Sequence, residues 1–256
     1  MSRRSETDVS ALIGPYPFRD VPHPDPDVLV RVLDREGIAF AWVGHLPTAF
    51  HRDPAAGNDQ LYRALEPHRQ RLRPAPAVRP DWPDWQRELR RATDEGAAAI
   101  RTWPRHWGLD AGHGALQELA MACSAQRLPL VLTVRFEDSR QRHALDVAGD
   151  LDAATIRGIA RAGTGVKVVV VAASRALIEE VHWGLTAEER ALTWYDTSWL
   201  WGPPEDDFAH LLRTIGADRL LYGTGWPLRL AQVTRANLAL LPDELRSVKL
   251  ADAGSW

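Results

Sequence analysis

The sequence predicts a single α/β domain, a closed (β/α)8 barrel of the TIM type, from three observations. About eight short apolar runs alternate with amphipathic helical stretches along the chain. Those runs are mostly apolar throughout, as parallel strands covered on both faces require. The length, 256 residues, is close to the ~250 that such a barrel uses. A doubly wound sheet would also alternate strand and helix, but no Gly-x-Gly-x-x-Gly opens a helix after the first run.

The elements follow in order. Val9 to Ile13 is a first strand, closed by the rigid loop Gly14-Pro15-Tyr16-Pro17-Phe18-Arg19. Asp25-Pro26-Asp27 opens a helix over Val28 to Arg35 that Gly37 ends. A buried strand follows at Ile38 to Val43. Asn58 caps a helix from Asp59 to Glu66, and Leu72 to Val78 is a third strand despite Pro74 and Pro76. Trp82 to Asp94 is a helix and Ala97 to Thr102 a strand that leaves through Trp103-Pro104. Helices at Gly114 to Gln126 and Leu151 to Ala162 alternate with strands at Leu130 to Val134 and Val166 to Val171, the last strongly β-branched. A short helix near Arg175 to His182, a strand at Leu192 to Tyr195, a helix at Asp206 to Ile215, a strand at Leu220 to Tyr222 and a helix at Leu228 to Leu241 complete the pattern.

Composition narrows the function classes. A formal net charge of -3 without a long basic run gives no footprint for nucleic acid, and no apolar run approaches the ~20 residues of a membrane span. Met1 to Asp8 is polar, with Arg3 and Arg4 and no apolar core behind them, so residues 1-8 are expected to be frayed, 9-256 to form the barrel, and the protein to be cytoplasmic. Its oligomeric state, a homo-oligomer included, is not legible. Cys123 is the single cysteine and lies on the apolar side of a helical pattern, so neither a disulfide framework nor a thiolate metal site is available.

Barrels of this type carry their chemistry on the loops that leave the C-terminal ends of the strands. Those loops supply Tyr16 and Arg19; His45 and His51; Arg101, Trp103, Arg105 and His106; Arg135, Glu137, Asp138, Arg140 and His143; Ser174 and Arg175; Asp196, Ser198 and Trp199; and Thr224, Gly225 and Trp226. Arg101 closes an apolar strand, so its burial requires an anionic partner, and Asp196 is the obvious internal one.

The stretch Leu221-Tyr222-Gly223-Thr224-Gly225-Trp226-Pro227 resembles the eighth-strand motif of amidohydrolase-related proteins, where Gly-Ser/Thr-Asp-Trp-Pro is usual. Gly14 to Arg19, Ala99-Ile100-Arg101 before Pro104, Glu137-Asp138-Ser139-Arg140 and Asp196-Thr197-Ser198 resemble a subgroup of the same superfamily in the same order. The resemblance implies a TIM barrel and hydrolysis, decarboxylation or hydration at a carbon centre activated by a divalent metal. The metal ligands that it implies are not at their positions. The first-strand histidine pair falls on Ser10 and Leu12, the fifth strand reads Val131-Leu132-Thr133-Val134-Arg135, the sixth ends Val171-Ala172-Ala173-Ser174, and the eighth-strand aspartate is Gly225. An ion needs three or four converging ligands, so the inherited metal site is absent. No His-x-His or His-x-x-x-His pair supports a relocated one built from His45, His51, His106, His143 and Asp196.

The expectation is therefore a metal-independent, cofactor-free enzyme acting by acid-base chemistry on a small anionic organic molecule. Amide or lactone hydrolysis is the inherited reaction, with cyclisation, elimination or decarboxylation using the same groups. Glu137 and His143 would exchange protons, and Asp196 would orient Arg101 or act as base. Arg19, Arg101 and Arg140 would hold the anion, and Trp103, Trp199 and Trp226 would line the pocket for a flat ligand. The alternative is a non-catalytic barrel that binds a metabolite or a partner protein. A third reading has the backbone N-H groups of Gly223 to Gly225 cradling phosphate at the last helix.

Overall fold

A computed structural model describes residues 6-22, 25-162, 165-254 and 256. The expected alternation is present. Strands β1 (Thr7–Asp8), β2 (Leu12–Ile13), β3 (Phe40–His45) and β4 (Leu72–Pro74) form one parallel group in which β3 pairs with the other three. Strands β5 (Ile100–Thr102), β6 (Leu130–Thr133), β7 (Val168–Val171), β8 (Thr193–Asp196) and β9 (Leu220–Leu221) pair in sequence order, again all parallel. Backbone hydrogen bonds carry the ladder across both gaps. Ala98 N donates to Pro74 O and Arg101 N to Pro76 O (both 2.9 Å), while Val9 N donates to Tyr222 O (3.1 Å) and Leu12 N to Trp226 O (2.8 Å). With β1 and β2 counted as one interrupted stave, eight staves close into a ring.

The helices lie outside, placed by their apolar stripes. Helix α1 (Pro26–Glu36) turns Leu29, Val32 and Leu33 inward; the Asp25 carboxylate accepts the Val28 N-H at 2.9 Å, and Gly37 ends the helix at φ 68°, a left-handed conformation that glycine adopts without steric cost. Inside the ring, Val9, Trp42, Ala75, Ala99, Val131, Val169, Val171 and Leu221 pack as one cluster. Trp256 seals its lower end, 4.5 Å from Trp194 and 5.8 Å from Trp42 between ring centroids. Several of the eleven tryptophans thus serve the end opposite the functional loops. Cys123 is fully buried, as its place in the helical pattern predicts.

Three expectations change. The first strand begins at Thr7, and Asp8 is fully buried, so 6-8 belong to the barrel; residues 1-5 lie outside those described. Helix α2 (Ala55–Leu65) starts at Ala55, and Asn58 sits inside it rather than at its cap. The Asn58 amide is turned inward, donating to Ala77 O (2.9 Å) and Glu88 Oε2 (2.9 Å) and accepting from Ala77 N (2.8 Å). It thereby satisfies the backbone that Pro74 and Pro76 leave irregular beyond β4. The last helix covers only Gln232–Ala239, because residues 226-231 form a loop over the barrel mouth.

Candidate active site

At the C-terminal ends of the strands, a cavity of about 30 Å³ is lined by Ser10, Arg101, Thr133, Arg135, Ser198, Trp199 and Arg229, among others. That space holds a water or a carboxylate-sized group, not a whole organic molecule. Arg101 has no solvent exposure. Its Nη2 donates to Val9 O (3.2 Å) and its Nη1 to Thr133 Oγ1 (3.4 Å). The side chain runs over Gly44, where a Cβ would fall 2.8 Å from Nε, so the glycine makes room for it. Burial pulls the guanidinium down to about 10, against the attraction of Asp196 and Asp8, and it keeps its charge at neutral pH.

Arg135 and Arg229 complete a ring of cations. Arg135 pairs with Asp150 (2.8 Å) and stacks over Trp199 at 5.4 Å. Arg229 lies between Trp199 (4.4 Å) and Trp201 (4.7 Å), a cation-π sandwich that fixes the guanidinium above the cavity. Burial lowers the affinity of both for protons. The Nε atoms of Arg101, Arg135 and Arg229 are all buried without a hydrogen-bond partner. Three uncompensated donors around one cavity are costly unless an acceptor enters it.

Below the floor lie two carboxylates with no exposure, Asp8 and Asp196. Asp8 Oδ1 accepts from Ser10 N (3.0 Å), Ser10 Oγ (3.3 Å) and Thr224 N (3.1 Å), and its Oδ2 accepts from Thr224 Oγ1 (2.5 Å). Asp196 Oδ1 accepts from Ala172 N (2.8 Å), which the positive φ of Ala172, 60°, directs inward. Asp196 Oδ2 has no partner, although the Ser198 and Ser10 hydroxyls lie close enough to favour its charged form. Desolvation by burial raises both carboxyl groups above their ordinary value. Gly223 permits this crowding, since a Cβ there would fall 2.2 Å from Asp196 Oδ2 and 2.7 Å from Ser10 Oγ.

The residues singled out from the sequence are distributed unevenly. Arg101 and Trp199 line the cavity, and Asp196 lies beneath it. Among the described residues, Arg101 and Asp196 are not within ion-pair distance; Arg101 bonds instead to Val9 and Thr133, and its attraction to Asp196 acts at longer range. Glu137 is buried and accepts from Arg19 Nε at 2.5 Å, while Arg19 Nη2 donates to Leu228 O (3.0 Å), so this pair ties three loops across the mouth. Arg140 is 84% exposed and held by Asp138 at 2.9 and 3.0 Å, which turns it away from the cavity. His143 is exposed, stacked on Phe18 at 5.3 Å. Trp103 packs against Trp107 and Phe136 in the core, and Trp226 packs with Leu29, Val43 and Tyr222 on the outer side of the first staves. The Gly-Thr-Gly turn does not cradle an anion. Its N-H groups donate to Thr197 Oγ1, Asp8 Oδ1 and Ser10 Oγ.

The residues present do not fit the metal site implied by the resemblance. Ser10, Leu12 and Gly225 surround a guanidinium, Asp8 is saturated by donors, and among the described residues no three His, Cys, Asp or Glu side chains converge to hold an ion.

This is a (β/α)8 barrel whose mouth holds arginines. No family model and no curated protein matches the sequence. Solved structures do share the fold. The 2,6-dihydroxybenzoate decarboxylase from Rhizobium is 13% identical with a TM-score of 0.71, over 98% of this chain and 97% of that one. The dihydroxybenzoic acid decarboxylase from Polaromonas sp. JS666, with bound manganese and 2-nitroresorcinol, is 14% identical with a TM-score of 0.71, over 98% and 95%. A protein described as a probable 2-pyrone-4,6-dicarboxylic acid hydrolase from Acinetobacter baumannii, with citric acid bound, is 11% identical with a TM-score of 0.61, over 94% and 97%. These likenesses establish the fold.

Proposed function

We propose that this protein is a metal-independent enzyme of the amidohydrolase fold that hydrolyses a lactone or amide carrying a carboxylate. One observation supports this above the others: three arginines line the same small cavity, and each keeps a buried Nε without a hydrogen-bond partner. An acceptor oxygen is what they lack, and in a water-poor site each would hold it strongly. Structures of this fold named for dihydroxybenzoate and pyrone dicarboxylate fit the same class, since both substrates carry carboxylates.

The choice of hydrolysis rests on charge. Decarboxylation turns an anionic carboxylate into neutral carbon dioxide, so arginines around that group would hold the starting state and raise the barrier. Hydrolysis builds negative charge on a carbonyl oxygen and ends with a new carboxylate, which the same arginines stabilise. Water adds to the carbonyl carbon, the bond to the ring oxygen or nitrogen breaks, and the proton lost by the water passes to the leaving atom. Ser198 and Asp196 are the groups placed to pass it, Ser198 lining the cavity and Asp196 standing behind it. Glu137 and Arg19 hold the loops around the mouth, and Arg140 and His143 have no part. A substrate larger than the cavity enters when the 226-231 loop shifts, carrying Arg229 with it.

The test is a screen of carboxylated lactones and amides against protein treated with a chelator, following the ring-opened or cleaved product by chromatography. Turnover that survives chelation and falls at least about a hundredfold in Arg229→Gln, with the fold intact by circular dichroism, is expected. A stoichiometric metal required for activity would overturn the reading. Ligands that raise the melting temperature without any turnover would favour the non-catalytic alternative.

A further inference from the structure

We infer that the site takes up a proton together with its anion, and that Oδ2 of Asp196 receives it. The inference rests on the anion site proposed above, and it concerns what that site does to protons whatever the anion is.

The argument is a charge balance within the barrel. Arg101, Asp8 and Asp196 have no exposure, and Arg229 is held over them by two indole rings. Arg135 shares Asp150 with Arg142, which also reaches Asp146, so these two cations and two carboxylates balance one another. The remaining interior therefore holds two cations and two carboxylates, and it balances when all four are charged. An anion entering against the arginines leaves at least one uncompensated negative charge in a region from which water is excluded. Protonating one carboxylate is the smallest change that restores the balance.

Hydrogen bonding decides which carboxylate accepts the proton. Asp8 is held by four donors, two from Ser10 and two from Thr224, and each of them favours the ionised form. Asp196 has one full hydrogen bond, the Ala172 N-H on Oδ1; the Ser198 and Ser10 hydroxyls lie near and favour its charge, but neither completes a bond to Oδ2. Among the described residues, the groups facing Asp196 are Asp8 and Ser10 from the first stave, Arg101 from β5, the Ala172 N-H after β7, Ser198 after β8, and Gly223 with Arg229 from the last turn. The only like charge among them is Asp8, and the two cations are the ones an anion would engage. Once they are engaged, their support for the Asp196 anion weakens. A proton on Oδ2 would then have an acceptor in the Ser198 hydroxyl, which is buried and without a partner. Burial also makes Asp196 easier to protonate than an exposed carboxylate.

The consequence for the proposed reaction is that Asp196 gives this proton to the leaving atom and is reprotonated by the one that the attacking water loses, so the step balances. The test is calorimetric titration of the whole protein with sulfate, which itself takes no proton near neutral pH, in two buffers of different ionisation enthalpy. The expected result is uptake of up to one proton per sulfate, with affinity falling by up to about tenfold per pH unit. Asp196→Asn should bind sulfate with no uptake. In the wild type, the carbon-13 signal of the Asp196 carboxyl should move toward its protonated position when sulfate is added, which keeps the test independent of how the variant folds. Sulfate binding without proton uptake would overturn this inference and leave the anion site standing. Uptake that persists in the variant would move the proton elsewhere and overturn the assignment. Absence of sulfate binding would overturn the anion site and this inference with it.

Discussion

Replacing Arg101 by methionine removes the one cation with no exposure among the described residues and leaves Asp8 and Asp196 facing each other inside the barrel. Burial raises both carboxyl groups above their ordinary 3.8, so the folded chain holds their protons more tightly than the unfolded chain does. Between 3.8 and the folded values, stability therefore falls as pH rises, because the unfolded carboxylates ionise first. Arg101 limits that fall, since its attraction to both groups supports their charged forms. Without it the folded values rise further and the fall extends to higher pH. The loss in Arg101→Met should accordingly be small near pH 4, where only packing and the bonds to Val9 and Thr133 are missing, and should grow to about 3–5 kcal/mol at pH 8, the scale of a broken buried charge pair. Urea unfolding of wild type and variant across this range measures it. A loss that is the same at both ends, or a variant as stable as the wild type at pH 8, would refute the account of the buried carboxylates.

Gly223→Ala places a methyl group 2.2 Å from Asp196 Oδ2; it should cost about 1–3 kcal/mol in urea unfolding, the usual scale of overpacking. Asn58→Ala deletes three buried hydrogen bonds that hold Ala77 and Glu88, with an expected loss of about 2–4 kcal/mol by the same measurement, since the backbone groups of Ala77 are left unpaired. Glu137→Gln acts differently. Arg19 is 41% exposed, so global stability should change by less than about 1 kcal/mol. Amide exchange in residues 226-230 should nevertheless quicken, because Arg19 is tied to Leu228 O as well as to Glu137; unchanged exchange would show that the pair does not hold the mouth.

The barrel was legible because its signals are local. The β-branched run 168-171 is buried at every residue, and Asp25 and Gly37 fix the ends of α1 through bonds that reach only a few residues. Boundaries slipped where a distant partner decided them. Asn58 has the composition of a cap, yet Ala77, nineteen residues on, takes its amide. The polar start of the chain concealed Asp8, whose partners on Thr224 are 216 residues away.

The site was legible in kind and only partly in membership. An arginine ending an apolar strand is a strong signal because its burial needs an explanation, and Arg101 is in the centre. Glu137, Arg140 and His143 drew attention by clustering in sequence, but such a cluster can satisfy itself. Asp138 takes Arg140 and Phe18 holds the His143 ring at the surface, so neither side chain lines the cavity. Arg229 carries the opposite lesson. It follows the Gly-Thr-Gly-Trp-Pro turn, and its backbone N-H bonds back to Gly225 O at 3.1 Å, which folds the segment over the mouth. A Cβ at Gly225 would stand 3.1 Å from Arg229 Cδ. The position where the resemblance expects an aspartate thus lies against the arginine stem, and a carboxylate there would compete with any anion for the same guanidinium. Losing that carboxylate and gaining a free cation are one change in the site, which is why the glycine that removes the expected chemistry is also the best sequence signal for the arginine that the notion of a lost metal site left unnoticed.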